Sequence, residues 1–135
     1  MVNMVDKSKL GKLNKSRGNI GERYYVKQFK DLGYTHCKTA REGSKLLDSC
    51  GIDLIFIPYN VQIKVGAQKG LNASKELKYI KDNIDTKLPK DSQESGYPKI
   101  LIHKKPVGRG NKRSEFDEIV SMTFEDFKKI ISNSK

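Results

Sequence analysis

The sequence predicts a single α/β domain with a mixed central β-sheet flanked by helices. Apolar residues follow a helical period before residue 33 and again in segments 74–87 and 123–131. Two short runs rich in β-branched residues, 52–57 and 61–65, read as strands. Helices that alternate with strands favour an α/β sandwich, and 135 residues suit one domain.

The chain begins with a polar segment that differs from the rest. Residues 1–16 place lysines among Asn, Ser and Gly, which is too polar to pack alone, so we expect a flexible basic arm followed by one domain over 17–135. A helix is predicted from Asn19 onward and ends at Gly33. It carries Glu22 on the same face as its apolar residues.

The centre of the chain predicts an antiparallel hairpin. Segment 34–40 reads as a strand and 41–50 as a polar loop, after which 52–57 and 61–65 are joined by a Pro-Tyr-Asn turn at 58–60.

Alternation along the two hairpin strands decides which side chains meet. It places Asp53 on one face with Ile55 and Ile57, and it places Gln62 and Lys64 together on one face of the second strand. The three polar groups Asp53, Gln62 and Lys64 can therefore converge at one end of the hairpin.

The second half of the chain predicts a helix over 74–87, a surface connection over 88–98 and a strand over 99–104. A cationic, glycine-containing loop over 106–113 precedes a strand over 118–122.

A last helix is predicted after Thr123, its N-cap, with Asp126 three residues on. Its apolar stripe would consist of Phe124, Phe127, Ile130 and Ile131.

Charge points to a polyanionic partner. Lys and Arg number 27 against 16 Asp and Glu, a net charge of +11, and this favours nucleic acid over lipid because no long apolar segment is present. Cys37 and Cys50 are not spaced as a redox or zinc pair and read as packing residues. With no signal-peptide pattern at the N-terminus, we expect a cytoplasmic protein, and the Lys- and Asn-rich composition would suit one encoded by a phage.

Several short motifs resemble the PD-(D/E)xK nuclease superfamily, and within it most closely the Holliday junction resolvases of the archaeal type and their phage relatives. The matching residues are Arg17-Gly18-x-x-Gly-Glu22-Arg23, Arg41-x-x-Ser44, Gly51-Ile-Asp53 and Gln62-Ile-Lys64. The chain departs from the family pattern at Ile52, where the superfamily has its proline, and at Gln62, where an acidic residue is usual. The glutamine removes one negative charge but keeps a carbonyl oxygen.

The resemblance implies a restriction-endonuclease-like fold and a divalent-metal site. The metal would be Mg²⁺, with Mn²⁺ as a substitute, held by Asp53, the Gln62 side-chain oxygen, the Ile63 backbone carbonyl and Glu22. Glu22, Asp53, Gln62 and Lys64 would be the catalytic set, with the Lys64 ammonium beside the attacking water.

The resemblance further implies a homodimer that nicks four-way DNA junctions symmetrically, in DNA recombination and repair. Arg41 and Ser44 match family positions near the scissile strand, and the excess of positive charge adds other DNA contacts. The expected DNA-binding residues are Arg17, Arg23, Arg41, Ser44, Lys69, Arg109, Lys112 and Arg113.

Other interpretations of the same residues stay open. Asp53 also fits a half-buried aspartate with satisfied hydrogen bonds, and Gln62 and Lys64 fit the outer face of an edge strand, where lysine discourages aggregation. Glu22 also fits an ordinary acid near a helix start. At the level of function, the alternatives are another nuclease of the superfamily, for nicking, repair or restriction, and a DNA-binding module that has lost catalysis.

Overall fold

A computed structural model of the chain describes residues 7–133 apart from residues 68 and 109, with side chains described from residue 18 onward. The fold is a mixed α/β fold in which helices flank a five-stranded mixed sheet. The predicted fold class is confirmed at this level.

The sheet has the strand order β1-β2-β3-β4-β5. Its strands are β1 Lys38–Thr39, β2 Leu54–Ile55, β3 Asn60–Val65, β4 Lys99–Lys104 and β5 Glu118–Ser121. Only β3 and β4 are parallel, whereas the other neighbours are antiparallel. A parallel pair needs a long crossover, and the helix over 73–87 lies in that connection.

The helices are α1 Lys7–Asp31, α2 Ala40–Gly43, α3 Lys45–Ser49, α4 Ala73–Lys87, α5 Gln93–Gly96 and α6 Phe124–Asn133. The prediction of α4 is confirmed: the Asn72 side chain accepts a hydrogen bond from the Lys75 amide as its N-cap, and Leu77, Ile80 and Ile84 are buried. Strand β4 also has its predicted bounds.

Each face of the sheet carries its own apolar cluster. On one face Tyr25 of α1 packs with Leu54, Val61 and Ile63. On the other face Ile80 and Ile84 of α4 pack with Ile52, Ile55 and Cys50. Both cysteines are buried and free, as expected for packing residues. The sheet is thus covered on both sides, which fixes its central strands firmly.

Helix α1 differs from the prediction at its start. It begins at Lys7, so it takes in residues 7–16 of the predicted arm, and residues 1–6 lie outside the described part.

The region around β1 also differs from the prediction. The strand predicted over 34–40 is confined to two residues. The predicted loop over 41–50 contains short helices, because the Thr39 and Ser44 side chains accept hydrogen bonds from the Glu42 and Leu47 amides as N-caps.

The hairpin is antiparallel as predicted, with Leu54 opposite Val61, but one residue is on the other face. Ile57 belongs to the cluster with α1, although alternation placed it beside Asp53 and Ile55. The reason is Phe56, whose φ of 63° lies in the left-handed region and interrupts the alternation.

The apolar stripe predicted for α6 is wrong in its orientation. Phe124, Phe127 and Ile131 are exposed, and only Ile130 packs against the core. The face turned inward carries Asp126, whose Oδ2 accepts a hydrogen bond from the Lys99 amide at 2.9 Å. The cap is confirmed, since Thr123 Oγ1 accepts from the Asp126 amide at 3.1 Å.

None of the helices in the described part of the chain combines the length and the apolar character that a bilayer crossing requires.

Candidate active site

Asp53 is held in place by backbone bonds on both sides. Its amide donates to the Val61 carbonyl at 2.7 Å, and its carbonyl accepts from the Ala40 amide at 2.8 Å. Its side-chain Oδ2 accepts from the Ile63 amide at 2.7 Å. The carboxylate is therefore fixed against the middle of β3.

The geometry of β3 places the Ile63 carbonyl oxygen on the same side of the strand as the Asp53 carboxylate. The amides of Asn60 and Gly66 point to β4, where they donate to Pro98 and Lys104 carbonyls. Backbone groups alternate sides along a strand, so the amide and the carbonyl of Ile63 both face the β2 side. Since that amide meets Asp53, the Ile63 carbonyl lies along the same strand edge as the carboxylate.

Gln62 contributes a buried acceptor. The residue is 6% exposed, and its Oε1 has no hydrogen-bond partner among the described residues. Buried amide oxygens nearly always have a partner, because leaving one unpaired costs about 1–3 kcal/mol. This oxygen is suited to a ligand that arrives from outside the chain.

Gly51 makes room for that amide. Its φ is +86°, and a Cβ built on it would lie 3.3 Å from Gln62 Nε2 and 3.1 Å from the Tyr79 ring. A side chain at this position would be strained by its backbone angle and crowded by both neighbours.

Glu22 reaches the site because α1 approaches β3 closely. A Cβ on Gly21 would lie 2.5 Å from Cγ2 of Val65, so only glycine allows this contact. The next residue, Glu22, accepts a hydrogen bond from Nη2 of Arg41, while Nη1 of Arg41 donates to Oδ1 of Asn19.

The electrostatics are those of acids brought together under partial burial. Burial, together with the charges of Glu22 and Asp48, raises the pKa of Asp53 to about 7, although the Ile63 amide and Lys64 act to lower it. Burial also raises the pKa of Glu22, more than Arg41 lowers it. The two carboxylates are thus short of positive charge.

Lys64 is the nearest cation of the strand to this cluster. It is half-buried, it shares a face with Gln62, and its charge acts on Asp53. Of the residues that the sequence selected, Glu22 and Lys64 thus lie within electrostatic range of Asp53, and Gln62 lies on the same face of β3 as Lys64.

The expected DNA contacts are more scattered. Arg41 is bound to α1 rather than free, and the Ser44 hydroxyl accepts from the Leu47 amide as the cap of α3. Nη1 of Arg113 donates to the Lys105 carbonyl at 2.9 Å. Three others, Arg23, Lys69 and Lys112, are exposed. The side chain of Arg17 and all of Arg109 lie outside the described residues.

Sequence reasoning missed Asn19 and Asp48. Asn19 holds Arg41 one helical turn before Glu22, and Asp48 lies close enough to raise the pKa of both Glu22 and Asp53. The spacing of Asn19 and Glu22 at i and i+3 could have indicated a shared helix face. No sequence signal marks Asp48, because its place depends on the short helix α3.

In the part of the chain that the structure describes, no three His, Cys, Asp or Glu side chains are grouped so as to hold a metal ion. The predicted ligand set contains only two such side chains, Glu22 and Asp53, and takes its other oxygens from an amide and a backbone carbonyl. Comparisons with protein-family models, with curated proteins and with solved structures give no match for this chain.

Proposed function

We propose that this protein is a metal-dependent DNA endonuclease of the PD-(D/E)xK type, with a restriction-endonuclease-like fold, that nicks four-way junctions as a homodimer. The observation that carries the proposal is the buried Gln62 Oε1 without a partner in the described residues, on the strand that also fixes Asp53. A buried amide oxygen without a partner among the described residues, on the strand that fixes an aspartate of raised pKa, is a fitting arrangement for a hard cation.

The residues present suit Mg²⁺ or Mn²⁺. Asp53, Glu22, the Gln62 amide and the Ile63 carbonyl offer oxygen atoms alone, which these ions prefer. A bound divalent ion would supply neutralisation of phosphate charge and acidification of a water molecule. It would also favour the ionised form of both carboxylates, whose pKa values burial raises.

Lys64 has the role of orienting the nucleophile in this proposal. Its ammonium is close enough to influence Asp53, and it can donate hydrogen bonds to an attacking water and to a phosphate oxygen as negative charge develops there. The Asp53 carboxylate orients the same water molecule or hydroxide ion. Backbone hydrogen bonds to β3 and α2 hold Asp53 in a fixed position.

The choice of DNA is supported by charge. The net charge of +11 gives long-range attraction to a polyphosphate, and exposed Arg23, Lys69 and Lys112 are free to meet it from several elements. The four-way junction and the two-fold dimer come from the resemblance to resolvases, because symmetric nicking needs two sites. An intracellular place of action, in a phage-infected or other cell, follows from that substrate.

The test is cleavage of a synthetic mobile four-way junction with Mg²⁺ or with a chelator. We expect paired, symmetric nicks that require metal and that are abolished by Asp53→Asn and by Lys64→Ala. Matched controls are Asp82→Asn and Lys78→Ala, which alter an exposed ion pair on the outer side of α4 and are expected to leave cleavage unchanged.

Other outcomes separate the alternatives. Equal or better cleavage of linear duplex or flap DNA would replace the resolvase by another nuclease of the superfamily. Junction binding without any product, unaffected by either site variant, would identify a DNA-binding module in which Gln62 marks a lost site. Binding should also weaken with salt by roughly 0.9 log units of affinity per log unit of salt for each phosphate neutralised.

A further inference from the structure

Arg41 uses both ends of its guanidinium on α1. Nη2 donates to Oε2 of Glu22, and Nη1 donates to Oδ1 of Asn19. The Glu22 side chain is 18% exposed and that of Arg41 is 38% exposed, so the pair lies at the margin of the site rather than in open solvent. Arg41, which the sequence predicts to contact a DNA phosphate, is thus paired in the protein alone with Glu22, which the sequence predicts to bind metal.

This pairing compensates charge that would otherwise be unfavourable. Glu22 lies within the influence of two further acids, Asp48 and Glu42, and Arg41 is the cation that opposes them. A divalent ion bound by Glu22 would likewise compensate the negative charge of these acids. Two cations that compete for one carboxylate bind it less well together than either does alone.

A DNA phosphate changes this competition. It offers Arg41 two non-bridging oxygens that can accept two parallel hydrogen bonds from the planar guanidinium. When Arg41 turns to the phosphate, Glu22 loses its partner, and its carboxylate oxygens become available to a metal ion.

We propose that Arg41 is a positioning residue that exchanges Glu22 for a DNA phosphate and thereby makes metal binding and DNA binding mutually reinforcing. The inference rests on the proposed function, because it requires both ligands at this site. By thermodynamic linkage the effect is reciprocal: DNA tightens metal binding by the same factor by which metal tightens DNA binding. The protein alone then holds metal weakly, and the complete site assembles on DNA.

The experiment measures Mn²⁺ affinity by calorimetry, with and without a four-way junction, in a Lys64→Ala background in which DNA stays intact. Adding Arg41→Ala is expected to tighten Mn²⁺ binding to the protein alone by about tenfold, because it removes the competitor. The factor by which DNA tightens Mn²⁺ binding should fall by about tenfold, to what the phosphate oxygens contribute directly.

Lys27→Ala is the matched control. It removes one positive charge from an exposed residue of the same helix α1, whose effect on the metal is screened by solvent, so Mn²⁺ affinity should change by less than about twofold. A double-mutant cycle adds Glu22→Gln, in which Arg41→Ala should no longer tighten metal binding.

Three results overturn the inference: unchanged or weaker Mn²⁺ binding in the Arg41→Ala protein, an unchanged enhancement by DNA, or tightening that persists with Glu22→Gln. Arg41→Lys provides the test if the alanine variant does not fold, because one ammonium cannot bridge Asn19 and Glu22 as the guanidinium does. This variant should bind Mn²⁺ about threefold more tightly than the protein with Arg41. An unchanged Mn²⁺ affinity would overturn the inference. Absence of Mn²⁺ binding with and without DNA would overturn the proposed function as well.

Discussion

Replacement of Asp53 by asparagine should stabilise the metal-free protein at high pH. The amide keeps an oxygen that can accept from the Ile63 amide, so the hydrogen bond at 2.7 Å is preserved while the charge is lost. The substitution therefore isolates the cost of ionising this one carboxyl group in its half-buried place.

The magnitude follows from the pKa. Burial and the neighbouring acids raise the pKa of Asp53 from 3.8 to about 7. Each unit by which the pKa of Asp53 differs between the folded and the unfolded chain corresponds to about 1.4 kcal/mol, so an ionised Asp53 lowers the free energy of unfolding by about 4 kcal/mol at pH 8. Because the folded state binds this proton more tightly, the contribution of Asp53 to stability is fully present below pH 4 and is lost as pH rises to about 7.

The assay is urea unfolding of wild type and Asp53→Asn between pH 5 and pH 8 with a chelator present. The free-energy advantage of the variant should grow by about 3 kcal/mol across this interval. Saturating Mn²⁺ at pH 8 should stabilise the wild type and not the variant, since only the carboxylate attracts the ion. A difference between the two proteins that stays constant from pH 5 to pH 8 would refute the reasoning.

Two further predictions concern backbone angles. Gly51→Ala should lower the free energy of unfolding by about 2 kcal/mol, because φ is +86° and the new Cβ would crowd Gln62 and Tyr79. Urea unfolding of the variant and the wild type measures this difference. An effect below about 0.5 kcal/mol would contradict the packing described. Phe56→Gly should instead raise the free energy of unfolding by about 1 kcal/mol, because it relieves a φ of 63° at a residue that is 61% exposed. The melting temperature checks this prediction. A lower value in the variant would show that the contact of the Phe56 ring with Lys38, at 5.6 Å, outweighs the strain.

Local patterns predicted much of the fold because the decisive interactions were local. The helix over 73–87 has its cap, period and buried face within one segment, and β4 follows a turn-rich connection. The hairpin could be recognised for the same reason. Its polar residues then followed from alternation, which brings Gln62 and Lys64 to one face.

The errors arose where a distant partner or a single backbone angle decided the outcome. Periodicity shows that α6 has an apolar face but not which face the sheet accepts, and here the bond from the Lys99 amide to Asp126 turns the phenylalanines outward. The left-handed angle at Phe56 could not be anticipated, because a bulky side chain rarely adopts it. The ion pair of Arg41 with Glu22 joins residues on separate elements, so no spacing in the chain announces it.

Strand β2 is so short that Leu54 is its only partner to β3, and the edge of β3 beyond Val61 is left for Asp53 and its surroundings. Ile63 thus serves the site through main-chain atoms, while its side chain is an ordinary member of the apolar cluster. Exchanging that side chain for valine or leucine would preserve both polar groups, and among natural amino acids only proline would delete the amide. A mutational survey would therefore classify position 63 as a tolerant hydrophobic site, although its peptide unit is among the most constrained elements of the centre.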